Sequence, residues 1–171
     1  MNPLLYLDHW TTHPIGQLHV GMALLALVLG PVMFLRRKGT GSHRVLGYIF
    51  VVSMLTANIA ALTRYGLTGG PNFFHFAALM SLATLLPAIA FGWRARLRKS
   101  RTAYITHGIL MCWAYFGLVM AFIAEAVTRE FPFLLHGDGA WVRFFIFLGA
   151  LMLVTGWWTR RQIRRHVIRN A

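Results

Sequence analysis

The 171 residues are 57% hydrophobic and only 12% charged, a balance that excludes a single soluble domain and is the profile of a membrane chain. The net charge of +13 does not mark a nucleic-acid partner, because nearly all the Lys and Arg residues sit in short segments between apolar runs. The sequence carries no motif for nucleotide binding or hydrolysis, so the first partner to consider is the lipid bilayer.

Residues 1–13 form a segment with no basic region, and Asp8 follows its short apolar stretch. The first long apolar run is therefore expected to remain as a span rather than to be cleaved as a leader. Five runs approach the roughly 20 apolar residues that a helix needs to cross a bilayer: Pro14–Leu35, Val45–Leu62, Phe73–Trp93, Ala103–Ala126 and Ala140–Trp158. The expected architecture is all-α, a polytopic bundle of five transmembrane helices. Residues 14–126 make a four-helix core, 127–139 an outer loop, 140–158 the fifth helix and 159–171 a basic tail. Cys112 lies within an apolar run and is expected to pack as a small hydrophobe.

Charge sets direction. Arg36, Arg37, Lys38 and Arg44, five basic residues between Arg94 and Arg101, and five from Arg160 onward together make 14 of the 17 basic residues. Only Arg64, Arg129 and Arg143 fall on the other side. The positive-inside rule then places the N-terminus outside and the C-terminus in the cytoplasm of a bacterial inner membrane.

The first four spans read as two copies of one hairpin. HVGMALLALVLGP from His19 and HFAALMSLATLLP from His75 share their His-to-Pro spacing, and each partner helix opens near a histidine, HRVLGYIF at His43 and HGILMCWAYF at His107. Histidine is costly inside a span and marks a functional site by default. His19 and His75 are expected near the outer interface and His43 and His107 near the inner one, two levels roughly 20–25 Å apart by helix rise. In an up-down bundle the first helix lies diagonal to the third and the second to the fourth, so each level holds one facing pair. Two opposed imidazoles suit the iron of a haem. Gly21, Gly47, Ala77, Ala78 and Gly108 leave room beside the ligands, and Pro31 and Pro87 are expected to add space by kinking their helices. A zinc site would want about four converging ligands, which neither pair supplies. Alternatively, each histidine merely bonds a neighbouring helix.

This arrangement resembles the ascorbate-reducible, b561-like di-haem transmembrane cytochromes b, whose four-helix core carries one axial histidine per helix. Six helices are usual in those proteins. The stretches GQLHVGMALLALVLGPVMFLRRK, SHRVLGYIFV and THGILMCW also look like bacterial membrane proteins of domain-of-unknown-function family 2306. The cytochrome resemblance implies that His19 pairs with His75 and His43 with His107 as ligands of two haems b. It implies a membrane oxidoreductase passing electrons between a donor and an acceptor such as quinone, superoxide, ferric iron or ascorbate. The other class is a non-catalytic assembly factor or accessory subunit of a respiratory complex.

Around this core, Glu125 is placed to relay a proton, contact a quinone, or pair with Arg64 or Arg129. Arg44 and Arg101, with Arg36, Arg37 and Lys38, could hold an anionic reductant beside the inner level. Asn58 is level with His19 and a candidate hydrogen-bond donor for orienting that ligand. His9, His13, His136 and Asp138 are a weaker metal-binding candidate on the outer side. The aromatic residues Trp113, Tyr115, Trp141, Trp157 and Trp158 read as core and interfacial-belt side chains. A homodimer or a larger redox complex is the further partner expected.

Overall fold

The computed structural model describes residues 13–64, 70–130 and 138–164, without the side chains at 129, 130, 141 and 162. Five helices carry nearly all of them: α1 (Pro14–Leu35), α2 (Gly41–Leu62), α3 (Phe73–Arg98), α4 (Arg101–Glu130) and α5 (Ala140–Gln162). Each is long and apolar enough to cross a membrane, and the described residues contain no strand. The all-α, five-helix architecture is the one that the apolar runs called for.

The helices outlast those runs at the charged ends. α3 continues past Trp93 to Arg98, α4 begins at Arg101, and α5 continues past Trp158 to Gln162. The physical reason is that Arg is nearly as good a helix former as Leu, so leaving the hydrocarbon does not end a helix. What ends α3 is Lys99, whose φ of 49° lies in the left-handed region. Ser100 then accepts the Ala103 amide through its hydroxyl at 3.3 Å and opens α4. α2 likewise starts four residues before its apolar run, at Gly41, because Thr40 caps it: the Thr40 hydroxyl accepts the His43 amide at 3.3 Å. Pro31 and Pro87 both lie inside continuous helices.

The chain divides into two compact units, residues 1–82 and 83–171. In the first, α1 packs along α2. The inward face of α2 is Phe50, Ser53, Met54, Ala57 and Ala60, all buried at the three-to-four-residue spacing of one helical stripe. The pairing is antiparallel: His19 meets Ala57 near one end of α1, and Met33 approaches Gly47 near the other. In the second unit α4 packs on α5. Ala140, Phe144, Leu148 and Thr159 form the buried stripe of α5, and the Thr155 hydroxyl reaches Met120 Sδ on α4 at 3.5 Å.

The opposite faces are as apolar as the buried ones. Leu153 of α5 is 78% exposed and Leu35 of α1 is 89% exposed, with Val28, Val52, Phe76, Ile146 and Val154 among many other large exposed hydrophobics. Apolar residues turned outward on every helix are stable only against hydrocarbon. The five helices therefore place the chain in a lipid bilayer.

Candidate functional site

The candidate histidines fall one to a helix. His19 is in the second turn of α1, His43 in the first turn of α2, His75 in the first turn of α3 and His107 in the second turn of α4. Two of them are held in the same way. His19 Nδ1 lies 2.9 Å from the Ala57 carbonyl oxygen of α2, and His107 Nδ1 lies 2.8 Å from the Ala88 carbonyl oxygen of α3. A carbonyl only accepts, so Nδ1 must carry the proton. A neutral ring in that tautomer presents its other nitrogen, Nε2, as a lone pair. This is the orientation that a metal-ligating histidine takes when a main-chain carbonyl fixes it. Both rings are half-buried.

The seat of His107 is close-fitting. A Cβ placed on Gly92 would stand 2.9 Å from His107 Nδ1 and 3.1 Å from Cε1. Gly92 lies one turn beyond Ala88, so the ring rests on the α3 backbone where a side chain is missing.

His75 is held differently. The Asn72 side-chain oxygen accepts the Phe74 amide at 3.0 Å, and the Asn72 amide points at His75 Nδ1 at 3.3 Å. Asn72 and His75 thus form a reciprocal cap at the start of α3. His75 Nδ1 is also 3.1 Å from Asn72 Oδ1, so either tautomer finds a partner. His75 is buried, and its Nε2 atom points away from this cap.

Asn58 does sit beside the His19 anchor, as its position in sequence suggested. Its Nδ2 donates to the Met54 carbonyl at 2.7 Å and to Ser81 Oγ at 3.0 Å. That bond fixes a level: the α3 residue abreast of Ala57 and Asn58 is Ser81. His75 lies six residues earlier, about 9 Å nearer the helix start at 1.5 Å per residue. In height, therefore, His19 matches Ser81 more closely than His75.

His43 contributes its amide to the Thr40 cap. It belongs to the first unit and His107 to the second. Glu125 lies in the second unit, where its carbonyl accepts the Thr128 hydroxyl at 3.0 Å, and Arg64 lies in the first. The side chain of Arg129 is outside the described residues, as are Asp8, His9, His136 and the side chain of Trp141. His13 has a structural task of its own, since its Nδ1 accepts the Ile15 amide at 3.2 Å and caps α1. Arg44 and Arg101 are exposed in the first turns of α2 and α4, the end of a helix where the macrodipole disfavours a cation. Among the described residues no three or more His, Cys, Asp or Glu side chains converge as a metal-binding group.

A family model described as predicted membrane protein, DUF2306, matches residues 16–154. The chain belongs to that family. The match runs from the start of α1 into α5 and so takes in all four histidines and both carbonyl anchors. No curated protein and no solved structure matches the chain. Three residues that matter in this DUF2306 chain carried no weight in the sequence: Ala57 and Ala88 act through main-chain oxygens, and Gly92 acts by lacking a side chain. Only Asn72 had a readable signal, as an Asn directly before an apolar helical run.

Proposed function

We propose that this membrane protein is a b-type cytochrome, a membrane oxidoreductase that exchanges single electrons between a donor and an acceptor. The observation that supports it is the shared anchoring of His19 and His107, each with Nδ1 on a main-chain carbonyl. That hydrogen bond makes Nε2 the basic nitrogen and fixes the direction in which it points. The imidazoles of His19, His107, His75 and His43 are the groups that would hold haem b through their ring nitrogens. When bound, haem b supplies reversible one-electron chemistry at its edge.

The chain's own residues do the rest. The α2 and α3 carbonyls hold the ring tautomer, and the apolar helix faces keep water from it. Exposed Arg44 and Arg101 offer positive charge to an anionic reductant, while Glu125 and Arg64 are each a candidate contact for a proton or a quinone head. Quinone, superoxide, ferric iron and ascorbate all suit outer-sphere exchange. The inner membrane of a bacterium, with the N-terminus outside, is the setting that the basic loops support, and a homodimer or larger redox complex is the assembly in which such a protein would work.

A second reading rests on the same two hydrogen bonds. They bridge α1 to α2 and α4 to α3, and a non-catalytic assembly factor or accessory subunit needs nothing more from its histidines. Asparagine separates the readings, because its amide can replace the Nδ1 donor but offers no imidazole nitrogen to iron. The full chain, expressed with adequate haem, is expected to purify with a Soret band that His19→Asn and His107→Asn reduce without loss of folded protein. A colourless wild-type protein, or full colour in both variants, would remove the cytochrome reading. The height of His75 makes His75→Ala informative as well: loss of the same spectral component as in His19→Asn identifies it as the opposing ligand, and an unchanged spectrum assigns that position to another group.

A further inference from the structure

Gly92 lies in the interior of α3, where alanine would make the better helix. Its φ is not in the left-handed region, so the backbone does not call for glycine. What calls for it is the neighbour. A Cβ at this position would meet Nδ1, Cε1 and Cγ of His107 at 2.9, 3.1 and 3.5 Å. The closest of these is shorter than the non-bonded contacts that a real Cβ makes, so the ring would have to shift. We infer that Gly92 is the positioning residue for His107: the bare backbone there lets the imidazole lie against α3 with Nδ1 on the Ala88 carbonyl.

The geometry is specific. In an α-helix the amide of residue 92 points at the carbonyl of residue 88, so Gly92 and His107 converge on one oxygen, which has a lone pair for each. A methyl group at residue 92 projects into the sector from which the second donor approaches. Rotation of the ring to escape it breaks the bond to Ala88, releases the tautomer and swings Nε2 out of line. Gly117, in α4 of the same unit, is the natural control, since a Cβ there meets nothing within 4 Å.

As a statement about iron ligation the inference rests on the cytochrome reading; as a statement about the ring it does not, and the test keeps the two apart. The full chain in detergent micelles, labelled with nitrogen-15 histidine and prepared without haem, is compared as wild type, Gly92→Ala and Gly117→Ala. The expected result is a His107 signal with its proton on Nδ1 in wild type and Gly117→Ala that shifts or exchanges between tautomers in Gly92→Ala. Should Gly92→Ala fold poorly, the His107→Ala background restores room for the new methyl. The thermal midpoint lost by Gly92→Ala is expected to be regained there, a coupling that an ordinary structural glycine would not show. An unchanged His107 signal in Gly92→Ala, or the same midpoint loss with and without His107, overturns the inference. If wild type binds no haem while the Gly92→Ala signal still shifts, the seat stands and the cytochrome reading fails.

Discussion

The imidazole of His19 spans from α1 to the main-chain oxygen of Ala57 on α2, 2.9 Å away, so a polar side chain inside the membrane is satisfied by a carbonyl that its own helix already uses. The carbonyl keeps its helical bond through one lone pair and takes the imidazole on the other. No second polar side chain has to be buried for the purpose.

Removing that bond should therefore loosen the α1–α2 pair by the modest amount usual within membranes. His19→Ala is expected to cost about 0.6–1.7 kcal/mol, and His19→Asn less, because the amide can still donate to Ala57. Reversible unfolding of the haem-free protein in mixed micelles measures both. Equal losses in the two variants would mean that ring packing, not the hydrogen bond, joins the helices.

Asn58 offers a second, independent measurement in the same unit. It bonds the Met54 carbonyl of its own helix and the Ser81 hydroxyl of α3. Ser81→Ala is expected to destabilise by about 0.6 kcal/mol, and the same change made on top of Asn58→Leu should cost almost nothing, since the partner has gone. Strict additivity would contradict the Asn58–Ser81 bond and with it the height assigned to His75.

Between α3 and α4, Lys99 holds a φ of 49°. A side chain in that conformation costs on the order of 1 kcal/mol that glycine does not incur. Lys99→Gly is accordingly expected to raise stability by up to about that amount, against the trend of most substitutions. A lowered thermal midpoint would show that the lysine side chain makes a contribution larger than the strain.

Orientation follows from the basic clusters and is checked without any cofactor. Because Cys112 is the single cysteine and is buried, the wild-type chain gives little background to thiol reagents. A cysteine in place of Gly137 should react with an impermeant maleimide from the periplasmic side, and one in place of Gly39 only after the membrane is opened. The opposite labelling pattern would invert the proposed orientation and exchange the inner and outer ends.

How much of this was legible beforehand depended on which atoms carry the information. Pro14 and the Leu35–Arg36 boundary delimit α1 in the sequence as they do in the structure, because proline favours a first turn and apolar length reports directly on the bilayer. The end of α3 and the start of α4 were not legible: Arg94, Arg96, Arg98 and Arg101 are good helix formers, so hydropathy stops where helix does not. The histidines announced themselves by being polar in apolar runs. Their anchors did not, since every residue has a carbonyl and only the packing decides that Ala57 and Ala88 are the ones used. Distance to the ends of the apolar runs gives His19 and His75 a common height. The Asn58–Ser81 bond supplies a register that such counting lacks.

The charged end of α3 also gives the His107 seat an electrical depth. Arg94, Arg96 and Arg98 form a charged collar that belongs at the headgroups, and Ala88 lies six residues before Arg94, about 9 Å along the axis at 1.5 Å per residue. That is just under a third of a hydrocarbon core roughly 30 Å thick. A unit charge brought to the seat would thus cross a similar share of the transmembrane field, worth about 0.7 kcal/mol per 100 mV. Protonating the ring would then be an electrogenic event whose equilibrium follows the membrane potential.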